Sequence, residues 1–85
     1  MNTLLRIKEL AAKQFGGESK EIDENAPVDQ LGIDSLGFLE FLFELEDEFS
    51  LSIPAESVAG VRTLHELAAV IDTLIAAKAE NPASA

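Results

Sequence analysis

Apolar residues recur at helical spacing in three stretches of this chain, each closed off by residues that stop helices. In the first, Leu4, Ile7, Leu10, Ala11 and Phe15 share one face, with Thr3 placed to cap the start. Gly16-Gly17 follows, as glycines do just past a helix C-terminus. The second stretch starts at Asp34, an N-cap residue type, and runs to about Phe49. The third starts at Thr63-Leu64-His65-Glu66, a capping box with Thr at the cap and Glu three residues on. Its stripe is Leu64, Leu67, Ala68, Ile71, Leu74 and Ile75, and the helix is expected over residues 64–78. Between the last two, Pro54 suits the first turn of a further, short helix that Gly60 closes.

The expectation is an all-α fold of four helices, three longer and one short, the short one third in order. Composition agrees. Leu, Ala and Glu are good helix formers, and there is no Trp, no Tyr and only five Phe. A chain of 85 residues with 47% hydrophobic content predicts one domain with a modest core, residues 1–79, and a frayed tail at 80–85. Residues 18–33 form a long connection, which hints at function. Ile22, Val28, Leu31 and Ile33 are placed to pin it to the core.

Several function classes drop out. With no cysteine there is no disulfide framework, thiolate metal site or cysteine nucleophile, and a reducing cytoplasm is the expected compartment. Arg6, Lys8 and Glu9 interrupt any signal-peptide core, and the apolar run at 67–77 is too short to span a membrane and contains Asp72. A net charge of -10 repels nucleic acid and anionic membranes and attracts basic protein patches. The acids Asp34, Glu40, Glu44, Glu46, Asp47 and Glu48 crowd the second helix, which has no Lys or Arg.

That helix has two apolar sets. At about 100° per residue, Phe38, Phe41, Leu42, Leu45 and Phe49 fall within one arc, the core face. Leu36, Glu40, Phe43 and Asp47 lie opposite, flanked by Leu39 and Glu44. Scattered exposed apolar residues are normal, but a patch ringed by acids marks a binding site more often. Ser35 stands at the first position of the helix. A phosphate there would meet the positive end of the helix dipole. Read locally, Asp34-Ser35 is more often a plain helix start in which both residues merely cap, because Asp-Ser-Leu is a short and common tripeptide.

Two rival readings weaken on inspection. His65 is the one histidine, and a triad with Ser35 and an Asp would draw on a side chain set inside a capping box. A calcium loop counted from Asp23 puts Val28 where Gly is needed and Asp34 where Glu is needed. Neither catalytic nor metal-binding residues are therefore expected.

The stretch Leu31-Gly32-Ile33-Asp34-Ser35-Leu36, followed by an acidic amphipathic helix, resembles the acyl carrier protein family. Glu46-Asp47-Glu48-Phe49, Ile53-Pro54 and the spacing on to Thr63 resemble it too, so the likeness covers about residues 3–77. The resemblance implies a four-helix bundle of acyl-carrier type with 4′-phosphopantetheine, taken from coenzyme A, on Ser35. It implies that Asp34 and Leu36 complete the attachment motif, with Asp34 serving the modifying transferase and its Mg²⁺. It implies that Leu36, Leu39, Glu40, Phe43, Glu44 and Asp47 dock partner enzymes. Phe41, Leu45, Ile53, Val58, Val61, Leu67 and Val70 match positions around the family's acyl-chain cavity.

On this resemblance the chain is a monomeric carrier, not an enzyme. A phosphopantetheinyl transferase would install the arm, and the carrier would then hold an acyl group on it as a thioester for acyl-transferring or condensing enzymes with basic patches. Fatty-acid, polyketide or other acyl pathways all use such a scaffold, as do aryl and aminoacyl cargoes. An unmodified helical interaction module is the alternative of another class. Gly37 departs from the family, where a second acid is common, and Phe38, Phe41 and Phe43 are bulkier than usual.

Overall fold

All three long apolar stretches are α-helices in the computed structural model, which describes residues 2–18 and 21–80. Helix α1 spans Thr3–Phe15, α2 Ser35–Phe49 and α3 Leu64–Glu80. Two short 3₁₀ turns, Val28–Leu31 and Ala55–Val58, complete the described elements, and the fold is all-α. The tail expected at 80–85 lies outside the described residues, apart from Glu80, which ends α3.

Local chemistry explains most boundaries. Asn2, not Thr3, caps α1: its side-chain oxygen accepts from the Leu5 N–H at 3.0 Å. Thr3 is inside the helix, and its hydroxyl donates to Asp72 Oδ1 on α3 at 2.5 Å. Gly16 ends α1 at φ 94°, a region that favours glycine. The Thr63–Glu66 capping box forms as expected. Glu66 N–H donates to Thr63 Oγ1 at 3.1 Å, and Glu66 Oε1 accepts from the Thr63 N–H at 3.1 Å.

The expected short third helix is present at Ala55–Val58. It is one 3₁₀ turn, with Pro54 as its cap residue rather than in its first turn. Ser57 N–H donates to the Pro54 carbonyl and Val61 N–H to the Val58 carbonyl, both three residues back. The few residues between Pro54 and Gly60 allow that tighter bond and leave little length for α-helical ones. Three α-helices therefore build the bundle, with this turn in place of a fourth.

The core lies where α1, α2 and α3 meet. Ile7, Phe41, Leu45, Leu64, Leu67 and Ile71 are fully buried there, with Leu10, Ala11, Leu42, Ile53, Val58 and Ala68 around them. Phe15 meets Phe41 edge to face, with ring centroids 5.6 Å apart. Arg6 of α1 donates to Glu48 of α2 at 2.8 Å.

Over residues 21–33 the long connection is more ordered than expected. Ile22, Val28 and Leu31 pack on the core and Ile33 is buried, as the sequence suggested. Main-chain ties add to this. Val28 N–H donates to the Arg62 carbonyl at 2.8 Å, and His65 N–H to the Glu24 carbonyl at 3.0 Å. An isolated antiparallel bridge joins Pro27 and Thr63 between them. The connection is thus stitched to the start of α3, and Ile33 hands the chain to α2 at a fixed place.

Candidate functional site

Asp34 stands in extended backbone ahead of α2, and its Oδ1 accepts from the Gly37 N–H at 2.7 Å. The Asp34 carbonyl accepts from the Phe38 N–H at 2.8 Å. These two bonds set the first turn of α2 and leave Ser35, its first residue, exposed. Such an N-terminal turn attracts anions, because backbone N–H groups and the positive dipole end point outward.

Gly37 has a local cause. A Cβ there would lie 3.1 Å from Asp34 Oδ1 and 3.3 Å from Phe15 Cε1. The space a side chain would need holds the capping carboxylate and the Phe15 ring. The missing second acid after Ser35 is therefore linked to an aromatic at the end of α1.

An open cleft of about 380 Å³ adjoins Ser35. Pro27, Val28, Ile33, Phe38 and Val61 give it apolar walls, and Asp29, Asp34 and Arg62 add charge. Phe38 packs against the core, as its place in the inner arc of α2 implies. The structure also places it half-buried on the cleft wall, one helical turn after Ser35. Its spacing of three from Ser35 was the available signal. Asp29 and Arg62 carried none, since the ties between the connection and α3 bring them there.

Of the residues matched to an acyl cavity, Phe41, Leu45, Ile53, Val58 and Leu67 are buried, and Val61 and Val70 are half-buried. Val61 alone among the seven lines the cleft beside Ser35. The buried five pack against one another in the core.

The outer face of α2 lies open. Leu36 is 64% exposed, Phe43 59% and Leu39 47%. Glu40, Glu44 and Asp47 are exposed beside them, and with Phe43 they line a shallow hollow. Two other carboxylates have structural tasks instead. The Arg62 N–H, with the Thr63 N–H and hydroxyl, holds Glu66 below the usual carboxylate range. The Arg6 guanidinium does the same for Glu48. No described helix is long and apolar enough to cross a membrane.

A small helical bundle that offers a serine at a helix start, beside an open cleft, is compatible with a carrier class of protein. The comparisons agree. A family model described as a phosphopantetheine attachment site matches residues 5–71. The acyl carrier protein of Zymomonas mobilis subsp. mobilis is 36% identical over 72 residues, 84% of this chain and 92% of its own. The meromycolate extension acyl carrier protein of Mycobacterium bovis is 39% identical over 80 residues, 93% of this chain and 67% of its own. Its Mycobacterium tuberculosis counterpart matches equally. The chain belongs to the acyl carrier protein family, and its prosthetic group is 4′-phosphopantetheine. Members of this family are carriers that work with a phosphopantetheinyl transferase and with acyl-handling enzymes.

The site fits that group. It offers a solvent-facing hydroxyl, the N-terminal turn of a helix to meet a phosphate, and a cleft with apolar walls to receive an extended chain.

Proposed function

We propose that Ser35 carries the 4′-phosphopantetheine arm and that this chain catalyses nothing itself. Ser35 oxygen would form the new bond to phosphorus. The bond to adenosine 3′,5′-bisphosphate breaks, and the hydroxyl proton passes to a base of the transferase. The arm's thiol supplies what a chain without cysteine lacks, a sulfur to hold an acyl group as a thioester. The observation that carries this reading is the exposure of Ser35 at the first position of α2, beside the cleft. Asp34 keeps that turn in place and, with Leu36, forms the surface presented to the transferase.

The outer face of α2 is the docking face in this reading. Glu40, Glu44 and Asp47 attract basic patches, and Leu36, Leu39 and Phe43 anchor them. Val61 and the cleft receive the first part of the cargo. The buried group of Phe41, Leu45, Ile53, Val58 and Leu67, with Val70 at its margin, would have to part to shelter a long one. The protein works as a cytoplasmic monomer in fatty-acid synthesis or a specialised acyl or polyketide route. The name of the meromycolate extension relatives supports the specialised branch.

Mass spectrometry after incubation with coenzyme A and a broad-specificity transferase tests the attachment. The parent should gain one arm, and Ser35→Ala should gain none while its helicity is unchanged. An arm found on Ser19, which lies outside the described residues, or on Ser50, Ser52 or Ser57 of that variant would sink the assignment.

A further inference from the structure

The cleft beside Ser35 is a poor place for a phosphodiester on charge alone. Asp29 and Asp34 both line it, on a chain with a net charge of -10. The first turn of α2 offers partial compensation, and one of its N–H groups, that of Gly37, is already taken by Asp34.

Most described cations are engaged elsewhere. Arg6 pairs with Glu48 and Glu9, Lys8 with Glu24, and Lys78 donates to the Ser50 carbonyl. Lys13, on α1, acts on Glu48. Arg62 is the one basic residue on the cleft wall. It forms no salt bridge among the described residues. Glu66 feels its charge, but the Glu66 carboxylate already accepts from the Arg62 and Thr63 N–H groups.

The main chain of Arg62 is clamped on both sides. Its N–H donates to Glu66 Oε1 at 2.8 Å, and its carbonyl accepts from Val28 N–H at 2.8 Å. The root of this exposed side chain is therefore fixed relative to both the connection and α3. A guanidinium presents five donors in a planar fork that matches two phosphate oxygens at once.

We propose that Arg62 is a positioning residue for the arm, its guanidinium holding the phosphodiester that joins the arm to Ser35. The inference rests on attachment at Ser35. Arg62 offsets Asp29 and Asp34 and keeps the root of the arm at the cleft, so that the arm swings about a fixed origin.

The two arginines make the test internally controlled. The protein is loaded enzymatically, the mass is checked, and the Nε–Hε signals of Arg6 and Arg62 are followed by NMR with the phosphorus resonance. Loading should shift the Arg62 signal and leave Arg6 in place. The phosphorus resonance of loaded Arg62→Gln should differ from that of the parent, and Arg62→Lys should recover part of the difference. Both shifts should fade toward 1 M salt, where the screening length is about 3 Å. The structural bonds of Arg62 come from its peptide groups, so the variants should fold, which their amide spectra will show. Loading at Ser35 with an unmoved Arg62 signal and an identical phosphorus resonance in Arg62→Gln overturns the proposal and leaves the attachment intact. A parent that takes no arm on Ser35 overturns both.

Discussion

The two faces of α2 use the same residue types for opposite ends. Phe41 and Leu45 on the inner face are completely buried, while Phe43 and Leu36 on the outer face are 59% and 64% exposed. Composition does not separate them. Helical phase does, together with the carboxylates of Glu40, Glu44 and Asp47 that surround the outer pair. The inner face stabilises the bundle by leaving water. The outer face keeps its apolar area in water, a cost that contact with a partner would recover.

Alanine scanning along the helix should break this symmetry most visibly. Phe41→Ala removes a ring packed against Phe15 and the core, and should cost about 3–5 kcal/mol in urea unfolding. Phe43→Ala should change stability by no more than about 0.5 kcal/mol. In binding to the transferase the order reverses. A buried aromatic anchor is worth about 2 kcal/mol or more, so Phe43→Ala should speed dissociation by roughly thirtyfold. Equal unfolding losses for the two variants would show that the faces do not differ as described.

The acids of the outer face give a smaller effect. Rim charge pairs contribute about 0.2–1 kcal/mol each and act mainly on encounter. Glu44→Lys should therefore slow association and flatten its dependence on ionic strength, with dissociation little changed. Stopped-flow binding across a salt series reads both rates. If this variant leaves association untouched while a charge reversal on α3 slows it, the docking face lies elsewhere.

The smallest effect sharpens the comparison within the acids themselves. Glu48 belongs to α2 but is tied to Arg6 of α1, which lowers its pKa from the ordinary 4.5. A carboxyl whose pKa is lowered by folding contributes stability above its unfolded pKa and loses it as pH falls through the folded one. Glu48→Gln should thus be less stable than the parent at neutral pH, with the gap closing once the pH drops below 4.5 and through the depressed folded value. Thermal unfolding at several pH values reads the gap. A gap that widens on acidification would contradict the sign.

Much of this was legible in the sequence because it is governed by neighbours three or four residues apart. Asp34 caps α2, Thr63 and Glu66 box the start of α3, and the two faces of α2 follow from helical spacing. What was not legible depends on distant partners. Thr3 looked like a cap, but its hydroxyl donates to Asp72, from the far end of the chain. Phe38 falls within the core arc and does pack on the core, but its second place, on a cleft wall, depends on the connection, which brings Pro27, Val28 and Asp29 to that cleft. Asp29 and Arg62 line the same cleft as Ser35 because the connection and the start of α3 are tied there, chiefly by bonds between peptide groups, to which residue types give no clue. The short 3₁₀ turn at Ala55–Val58 differs from a short α-helix only in bond register, finer than a Pro-to-Gly spacing can tell.

The stitching between the connection and α3 also bears on how such a chain can change over generations. Its bonds run from the Val28 N–H to the Arg62 carbonyl and from the His65 N–H to the Glu24 carbonyl. Peptide groups are common to all residues, so inherited substitutions at Glu24, Val28, Arg62 or His65 leave these bonds chemically possible. The exception is proline at 28 or 65, which has no N–H to give. Lineages can therefore rewrite the side chains at this seam, and with them the charge and shape around Ser35, without surrendering the path that brings the serine there. The same property that hid the seam from a reading of the sequence leaves its main-chain bonds indifferent to which side chain stands there, proline apart.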